Sequence, residues 1–208
     1  MKTTLRRHLS VAYRAALFAF SRSYHRGESL NEILGYTDTL TGIANRKSFE
    51  EDRGNIQAFE TFIMVDVDNL KHLNDTFGHL FGDTILRACS DILAKSTERV
   101  GKVYRLAGDE FAIIVPECWV KTVCLYINNR IKEDGRFSIS LGVAPACGSE
   151  GLTDDLFRTA EVALYQSKHR GPDIYSEYLT DHEENTPAPE SRESETQHSE
   201  SHLILELA

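Results

Sequence analysis

Hydrophobic positions along residues 38–176 follow two different patterns. Short runs of apolar and β-branched residues predict buried strands, and longer stretches with apolar residues at helical spacing predict helices. The predicted strands lie at 62–66, 102–107, 110–116 and 137–145. The predicted helices lie near 45–52, 69–77, 82–96, 119–132 and 154–169. Because strands and helices mix without regular alternation, the pattern predicts an α+β fold in which helices cover a mainly antiparallel sheet.

Residues 1–37 have a different pattern. Apolar side chains such as Leu5, Leu9 and Phe20 recur there at helical spacing among several arginines, which predicts an amphipathic helix with a basic side. The pattern favours packing of this helix on the globular domain or on a partner subunit. Contact with an anionic membrane surface is the alternative. The chain contains no run of about 18 apolar residues, so no transmembrane helix is predicted.

Charge is distributed unevenly over the 208 residues, whose formal net charge is −9. Residues 177–208 are rich in Glu, Ser, Thr, His and Pro, and Arg192 is their single Lys or Arg. This composition predicts a disordered acidic tail and leaves residues 38–176 as one domain of ordinary size. Because no basic stripe supports such an interaction, the charge pattern argues against a nucleic-acid polymer as partner.

The four cysteines lack both a C-x-x-C pair and a histidine at zinc-like spacing. They are Cys89, Cys118, Cys124 and Cys147. Their scattered positions predict small core residues in a reducing compartment, so we expect a cytoplasmic protein.

Two acidic clusters lie at the ends of predicted strands. Asp66 and Asp68 follow the buried run 61–65, and Asp109 and Glu110 lie at the tip of a predicted hairpin, where Gly-Asp favours a turn. Carboxylates at neighbouring strand ends suit Mg²⁺, which leaves open positions for substrate phosphates. Each cluster alone also fits a helix cap or a turn, but together they favour a cation site.

Seven motifs occur in the order typical of GGDEF-domain diguanylate cyclases, and the chain resembles this family from Asp38 to about Tyr175. The matching segments are Asp38–Arg46, Asp66–Asp75, Phe77–His79, Gly82–Asp83, Ala107–Phe111, Ser138–Gly142 and Ala163–Lys168. The resemblance implies a ferredoxin-like palm core of the nucleotidyl cyclase type. It also implies that two GTP molecules condense into cyclic di-GMP across a homodimer, with release of pyrophosphate.

The resemblance further implies a role for each acidic residue. Asp66 and Glu110 would be metal ligands, together with the carbonyl of Val67. Asp109 would be either a further ligand or the group that helps to deprotonate the attacking 3′-hydroxyl, so Asp109 and Glu110 are the predicted catalytic pair. The implied cofactor is Mg²⁺ or Mn²⁺, with two ions in each half-site.

The residues that match the family's substrate-binding positions fall into two groups. For guanine they are Asn74 and Asp83, which suits a base whose N1–H and N2–H₂ donors need acceptors. For the triphosphate they are the side chains of Lys71 and Lys168 and the backbone N–H groups of Asn69, Leu70 and Lys71 at a helix start. By the same resemblance we expect Asp38 and Arg46 to pair at the entry of the domain, and Arg105 to make a structural pairing.

The chain departs from the family at four places, of which Glu161 in place of the usual aspartate before Ala163 is a mild change. Ala107 replaces the first glycine of the signature. Gly171-Pro172-Asp173 stands where the family commonly has Gly-Arg-Asn, so a phosphate-facing arginine is missing. The inhibitory R-x-x-D falls on Glu98–Gly101, where neither required residue is present.

These departures keep two alternatives to catalysis open. One is a weakly active or inactive domain that binds GTP or a cyclic dinucleotide as a regulator. The other is a scaffold that acts through its N-terminal helix.

Overall fold

The computed structural model describes residues 35–146, 151 and 153–170. Four sequence predictions concern residues outside this part of the chain. They are the N-terminal helix up to residue 34, the acidic tail at 177–208, the Gly171-Pro172-Asp173 segment and the burial of Cys147.

The described residues form five strands and five α-helices in mixed order. They are β1 (Ala44–Asn45), α1 (Arg46–Asp52), β2 (Glu60–Val67), α2 (Leu70–Phe77), α3 (His79–Ser96), β3 (Lys102–Ala107), β4 (Glu110–Pro116), α4 (Val120–Asp134), β5 (Ile139–Pro145) and α5 (Asp154–Arg170). Short 3₁₀ turns at Arg53–Asn55 and Glu117–Trp119 precede β2 and α4. Every element predicted within residues 38–176 is present with its ends shifted by a few residues. The two-residue strand β1 is additional, since so short a segment shows no apolar pattern.

The five strands form one sheet in the order β1-β3-β4-β2-β5. The β3–β4, β4–β2 and β2–β5 pairs are antiparallel, and β1 pairs with β3 in parallel. The predicted hairpin of β3 and β4 and the mainly antiparallel sheet are therefore confirmed. In this order β2 lies between β4 and β5, so its C-terminal end borders both the hairpin tip and the start of β5.

Helices cover both faces of the sheet, and an apolar core fills each side. One core packs α3 and α4 against residues such as Ile63, Val65 and Ile113. The other packs α1 and α5 against the alternate residues, such as Phe62 and Met64. Because side chains alternate along a strand, this division assigns Asp66 to the face that α5 covers.

The cysteine prediction is correct for two of the three described cysteines. Cys89 and Cys124 are buried, and burial raises the pKa of the Cys89 thiol. Cys118 is exposed, because it lies in the 3₁₀ turn that leaves the sheet after β4. The prediction that all four are core residues is therefore wrong for Cys118.

The predicted pair of Asp38 and Arg46 is also wrong. Arg46 lies 3.8 Å from Glu50, one turn further along α1. The Asp38 carboxylate instead accepts from Arg105 at 3.0 Å. The reason is the parallel β1–β3 pairing, which places the entry loop beside the end of β3.

None of the described helices combines the length and the hydropathy that crossing a membrane requires.

Candidate active site

The two acidic clusters meet at the C-terminal end of β2. Asp66 lies directly opposite Glu110 in the β2–β4 pairing, and the N–H of Val67 donates to the Asp109 carbonyl at 3.1 Å. Side chains opposite each other in an antiparallel pair point to the same face, with Cβ atoms about 5 Å apart. The predicted metal ligands Asp66, Val67, Asp109 and Glu110 are therefore neighbours, as the sequence analysis expected.

A cation already lies against the buried carboxylate of this site. The Lys168 ammonium, on α5, is 2.8 Å from Asp66 Oδ2, and the Asp66 side chain is only 10% exposed. Burial raises the pKa of Asp66, the Lys168 ammonium opposes this effect, and the charges of Asp109 and Asp68 add to the rise. A buried carboxylate among other carboxylates is stabilised in its ionised form by a nearby cation.

Close packing of α5 on β5 brings Lys168 over the site. A methyl group added at Gly142 would overlap the Ala160 carbonyl and the Leu164 backbone, so this strand position has no room for a side chain. The glycine of the Ser138–Gly142 motif thus allows the helix to approach the sheet. Lys168 then lies one turn of α5 beyond Leu164, at the Asp66 end of β2.

The acidic residues fit a divalent cation that takes some of its ligands from elsewhere. Asp66 and Glu110 offer carboxylate oxygens, and the Lys168 ammonium shows that a positive charge is accommodated beside Asp66. Within residues 35–146, 151 and 153–170, no three acidic, His or Cys side chains converge closely enough to hold an ion by themselves. The Val67 carbonyl and the phosphates of a nucleotide would have to complete the coordination, as is usual for Mg²⁺.

Asp68 has a different environment from Asp66, which the sequence analysis did not anticipate. Its two carboxylate oxygens accept from the hydroxyl groups of Ser138 and Ser140, each at 2.7 Å, and its N–H donates to the Ser138 carbonyl at 3.0 Å. The signal was present in the sequence as two serines at alternate positions of a strand, since such positions share one face.

Helix α2 begins two residues after β2, beside the acidic cluster. Asn69 precedes the helix in the left-handed conformation, with φ of 55°, and its side chain does not cap the helix. The first N–H groups of a helix have no partner within it and favour anions. The Leu70 side chain is buried in the core and the Lys71 side chain is exposed, so Leu70 offers a ligand only its backbone.

The predicted guanine readers lie on α2 and α3. The Asn74 amide packs so closely on Gly82 that a methyl group there would overlap its oxygen, and Asp83 is the next residue. Asn74 Oδ1 is buried and has no hydrogen-bond partner in the structure. Because a buried acceptor without a donor is costly, this atom suits a ligand that brings an N–H group. Helix α2 links this group to the acidic cluster.

The tip of the signature hairpin is fixed by Arg105. Its guanidinium donates to the Gly108 carbonyl at 3.1 and 2.7 Å and to Asp38 Oδ1 at 3.0 Å. Gly108 has a positive φ of 38°, and the pairing shifts register between Arg105 and Ala107. The predicted structural role of Arg105 is therefore confirmed, with Asp38 and Gly108 as its partners.

Known proteins are similar to the part of this chain that contains the site. Residues 35–173 match the family model described as diguanylate cyclase, GGDEF domain. The chain is 30% identical over 161 residues to diguanylate cyclase DgcM of Escherichia coli strain K12, covering 70% of this chain and 39% of that protein. It is 34% identical over 150 residues to diguanylate cyclase DgcZ of the same strain, covering 64% of this chain and 50% of that protein. The chain thus spans half or less of the length of these relatives.

The fold also matches solved structures. The GGDEF domain of DgcB from Caulobacter crescentus, crystallised in complex with c-di-GMP, superposes with a TM-score of 0.57 at 26% identity. The match covers 66% of this chain and 92% of that one. Together with the sheet order, it confirms the expected palm fold of the nucleotidyl cyclase type.

Proposed function

The chain belongs to the GGDEF-domain diguanylate cyclase family, and we propose that it condenses two molecules of GTP into cyclic di-GMP. The observation that carries this proposal is the register of Asp66 with Glu110 beneath Lys168. A buried carboxylate, a hairpin carboxylate and an ammonium at one strand end, next to the start of α2, suit a nucleoside triphosphate. Phosphoryl transfer depends mainly on positioning and on neutralising phosphate charge.

Each chemical step has a residue available for it. The 3′-oxygen of one GTP attacks the α-phosphorus of the other, the bond to the β-phosphate oxygen breaks, and pyrophosphate leaves. The hydroxyl proton passes to Asp109 or Glu110 at the hairpin tip. A second, equivalent attack closes the ring and releases a second pyrophosphate. Lys168 and Lys71 would neutralise phosphate oxygens, with the first N–H groups of α2 as further donors.

Divalent cations, Mg²⁺ or Mn²⁺, would be held by Asp66, Glu110 and the Val67 carbonyl, with two ions in each half-site, and would supply charge neutralisation at the phosphates. The supporting feature is the environment of Asp66. Burial raises the pKa of its carboxyl group, the Lys168 ammonium opposes this effect, and the charges of Asp109 and Asp68 add to the rise. Asp66 must be ionised to serve as a ligand.

Guanine would bind between Asn74 and Asp83. The Asp83 carboxylate accepts from N1–H and N2–H₂, and the orphan Asn74 Oδ1 accepts a further N–H. Adenine presents different groups at the same edge, so the site would favour GTP. A homodimer follows from the chemistry, because one domain holds one GTP and the attack needs two facing each other.

The remaining assignments concern segments outside the described residues and the setting of the reaction. We assign residues 38–176 to the cyclase domain, residues 1–37 to an amphipathic helix that promotes dimerisation, and residues 177–208 to a disordered acidic tail. Because GTP and Mg²⁺ are cytoplasmic solutes, the proposed reaction belongs in the cytoplasm. Contact of the N-terminal helix with a membrane surface is the less favoured alternative.

A non-catalytic regulator that binds GTP or a cyclic dinucleotide is the rival function, and the changed signature is the reason to consider it. The backbone conformation at Ala107 argues against this rival, because replacing glycine with alanine causes strain where φ is positive. Among the described residues, the non-glycine positions with positive φ are Asn69 and Arg99. Ala107 is therefore compatible with an intact hairpin.

Incubation of the purified protein with GTP and Mg²⁺ separates these functions. A cyclase releases pyrophosphate and cyclic di-GMP, and a regulator binds nucleotide without turnover. A scaffold neither binds nor converts GTP. Nucleotide binding without any dinucleotide product, at protein concentrations that allow dimers to form, would refute the proposed activity.

A further inference from the structure

The carboxylate of Asp68 is held by two serine hydroxyl groups from the β5 side of the sheet. Both of its oxygens accept hydrogen bonds of 2.7 Å, from the hydroxyl groups of Ser138 and Ser140. Hydroxyl donors at this distance from a carboxylate make strong, charge-assisted hydrogen bonds. Asp68 therefore makes structural contacts with β5, although it lies only two residues from Asp66 on the same face of the sheet.

The backbone around Asp68 is held from both sides. The Asp68 N–H donates to the Ser138 carbonyl on the β5 side, and the Val67 N–H donates to the Asp109 carbonyl on the hairpin side. Asn69 then turns the chain into α2 with a positive φ of 55° and without a side-chain cap. The side chain of Asp68 adds two hydrogen bonds to this backbone contact with the β5 side.

We propose that Asp68, Ser138 and Ser140 form a serine clamp, a positioning device for the proposed active site. The clamp fixes the turn that carries two backbone elements of that site, the Val67 carbonyl and the first N–H groups of α2. Its catalytic role rests on the proposed function, whereas its structural role does not. The alternate serines of the Ser138–Gly142 motif thereby acquire a specific purpose.

Two variants remove the clamp from opposite sides. Asp68→Ala deletes the acceptor, and the double variant Ser138→Ala with Ser140→Ala deletes both donors. Both should lose amide-exchange protection at positions 67 and 68 in the free protein, because these N–H groups donate to the Asp109 and Ser138 carbonyls. Both should also bind Mn²⁺ roughly 10- to 100-fold more weakly in the presence of unreactive α,β-methylene GTP, with a similar loss in kcat. Preference for GTP over ATP should change little, because Asn74 lies further along α2, where it packs on Gly82 of α3.

Asp68→Asn separates positioning from charge. An amide offers one acceptor and one donor, and serine hydroxyls can pair with either. This variant should recover most of the Mn²⁺ affinity and turnover that Asp68→Ala loses. The matched control is Ser90→Ala with Ser96→Ala, which removes two hydroxyls that donate to helix carbonyls in α3. Melting temperatures identify any variant that fails to fold.

Two results would overturn the clamp. One is that the Ser138/Ser140 variant shows the same amide exchange and the same Mn²⁺ affinity as the Ser90/Ser96 control. The other is an Asp68→Asn protein as impaired as Asp68→Ala, which would make the charge of Asp68 the essential property. If the wild type makes no cyclic di-GMP, the proposed function fails, and the exchange and Mn²⁺ measurements still decide on the clamp.

Discussion

The guanidinium of Arg105 donates a hydrogen bond of 3.0 Å to the carboxylate of Asp38, and so joins the entry loop of the domain to the signature hairpin. The same guanidinium holds the Gly108 carbonyl at 2.7 Å. Thr41 also donates to Asp38, from its N–H at 2.9 Å and from its hydroxyl at 2.6 Å. The loop in front of β1 and the turn that presents Asp109 are therefore parts of one hydrogen-bonded unit.

The first prediction concerns the pH dependence of this unit. Burial alone would raise the pKa of Asp38, but hydrogen bonds from Thr41 and Arg105 outweigh it and lower the pKa. A lowered pKa in the folded state stabilises the protein above the ordinary aspartate value, and this stabilisation is lost as pH falls through the folded-state pKa. Asp38→Asn should therefore reduce the free energy of unfolding by roughly 1–3 kcal/mol at neutral pH and by much less in acid.

Urea unfolding of both proteins over the acid range measures this difference. Glu161→Gln, at an exposed position of α5, is the control and should leave the stability unchanged. A stability difference between Asp38→Asn and wild type that stays constant from neutral pH into acid would contradict the assignment.

The second prediction tests the acidic cluster. Asp66→Ala and Glu110→Ala should each lower kcat about 100-fold or more while the fold is kept, because neutralising the transferring phosphate is a dominant contribution to catalysis. Glu117→Gln is the matched control, since Glu117 is an exposed acid that follows the opposite end of β4. A variant that keeps more than about a tenth of the wild-type rate would remove its residue from the site.

The third prediction concerns the choice of nucleotide. Wild-type protein should use GTP in strong preference to ATP, and Asp83→Ser should reduce this preference because serine offers one hydroxyl in place of two carboxylate oxygens. Parallel kcat/KM measurements with both nucleotides give the ratio. Comparable use of ATP by the wild type, or an unchanged ratio in the variant, would show that Asp83 does not read the base.

The fourth prediction uses the contact between Gly82 and Asn74. Alanine at position 82 would place a methyl group on the Asn74 amide oxygen and displace that side chain. Gly82→Ala should therefore raise KM for GTP, with a smaller effect on kcat. Gly54→Ala is the matched control, because a methyl group there meets no atom within 4 Å. Equal KM values for the two variants would mean that Asn74 does not contact the substrate.

Local patterns explain why most of the fold could be predicted. The strand carrying Asp66 and the hairpin carrying Glu110 are each visible within a few residues, and neighbouring strand ends suffice to bring their carboxylates together. The partner of Asp38 could not be inferred in this way. It depends on β1, a strand of two residues that has no apolar signature, and on its parallel pairing with β3.

Register between distant strands accounts for the other omission. Ser138 and Ser140 were recognised as part of a motif, but their role requires that β5 pair with β2 so that Val67 is opposite Ile139. Only that pairing puts both hydroxyls beside Asp68. A sequence shows which residues share a face of one strand, and the structure shows which faces of two strands meet.

The last prediction concerns control by the product. Cyclic di-GMP should not inhibit this protein through the site just upstream of the signature, where the family has R-x-x-D. Glu98 stands at the arginine position and would repel a phosphate, and Arg99, one residue further on, is exposed with a φ of 76°. The aspartate position is Gly101, where even a methyl group would overlap the Val115 side chain and the Ile114 carbonyl.

Because position 101 has no room for a side chain, restoring the family's residues should not restore the inhibitory site. Adding cyclic di-GMP to the reaction should leave the initial rate unchanged, and the double variant Glu98→Arg with Gly101→Asp should not create inhibition, because the aspartate cannot be accommodated without shifting β4. Glu98→Arg alone is the control for the added charge, which is exposed and should be tolerated.

Half-inhibition of the wild type at low micromolar product, abolished by substitutions at 98–101, would show that the site functions without an arginine fork or an aspartate. Inhibition that appears in the double variant would instead show that β4 yields enough to accept the side chain. If neither is seen, product accumulation is limited by substrate supply and by the amount of protein, and not by this site.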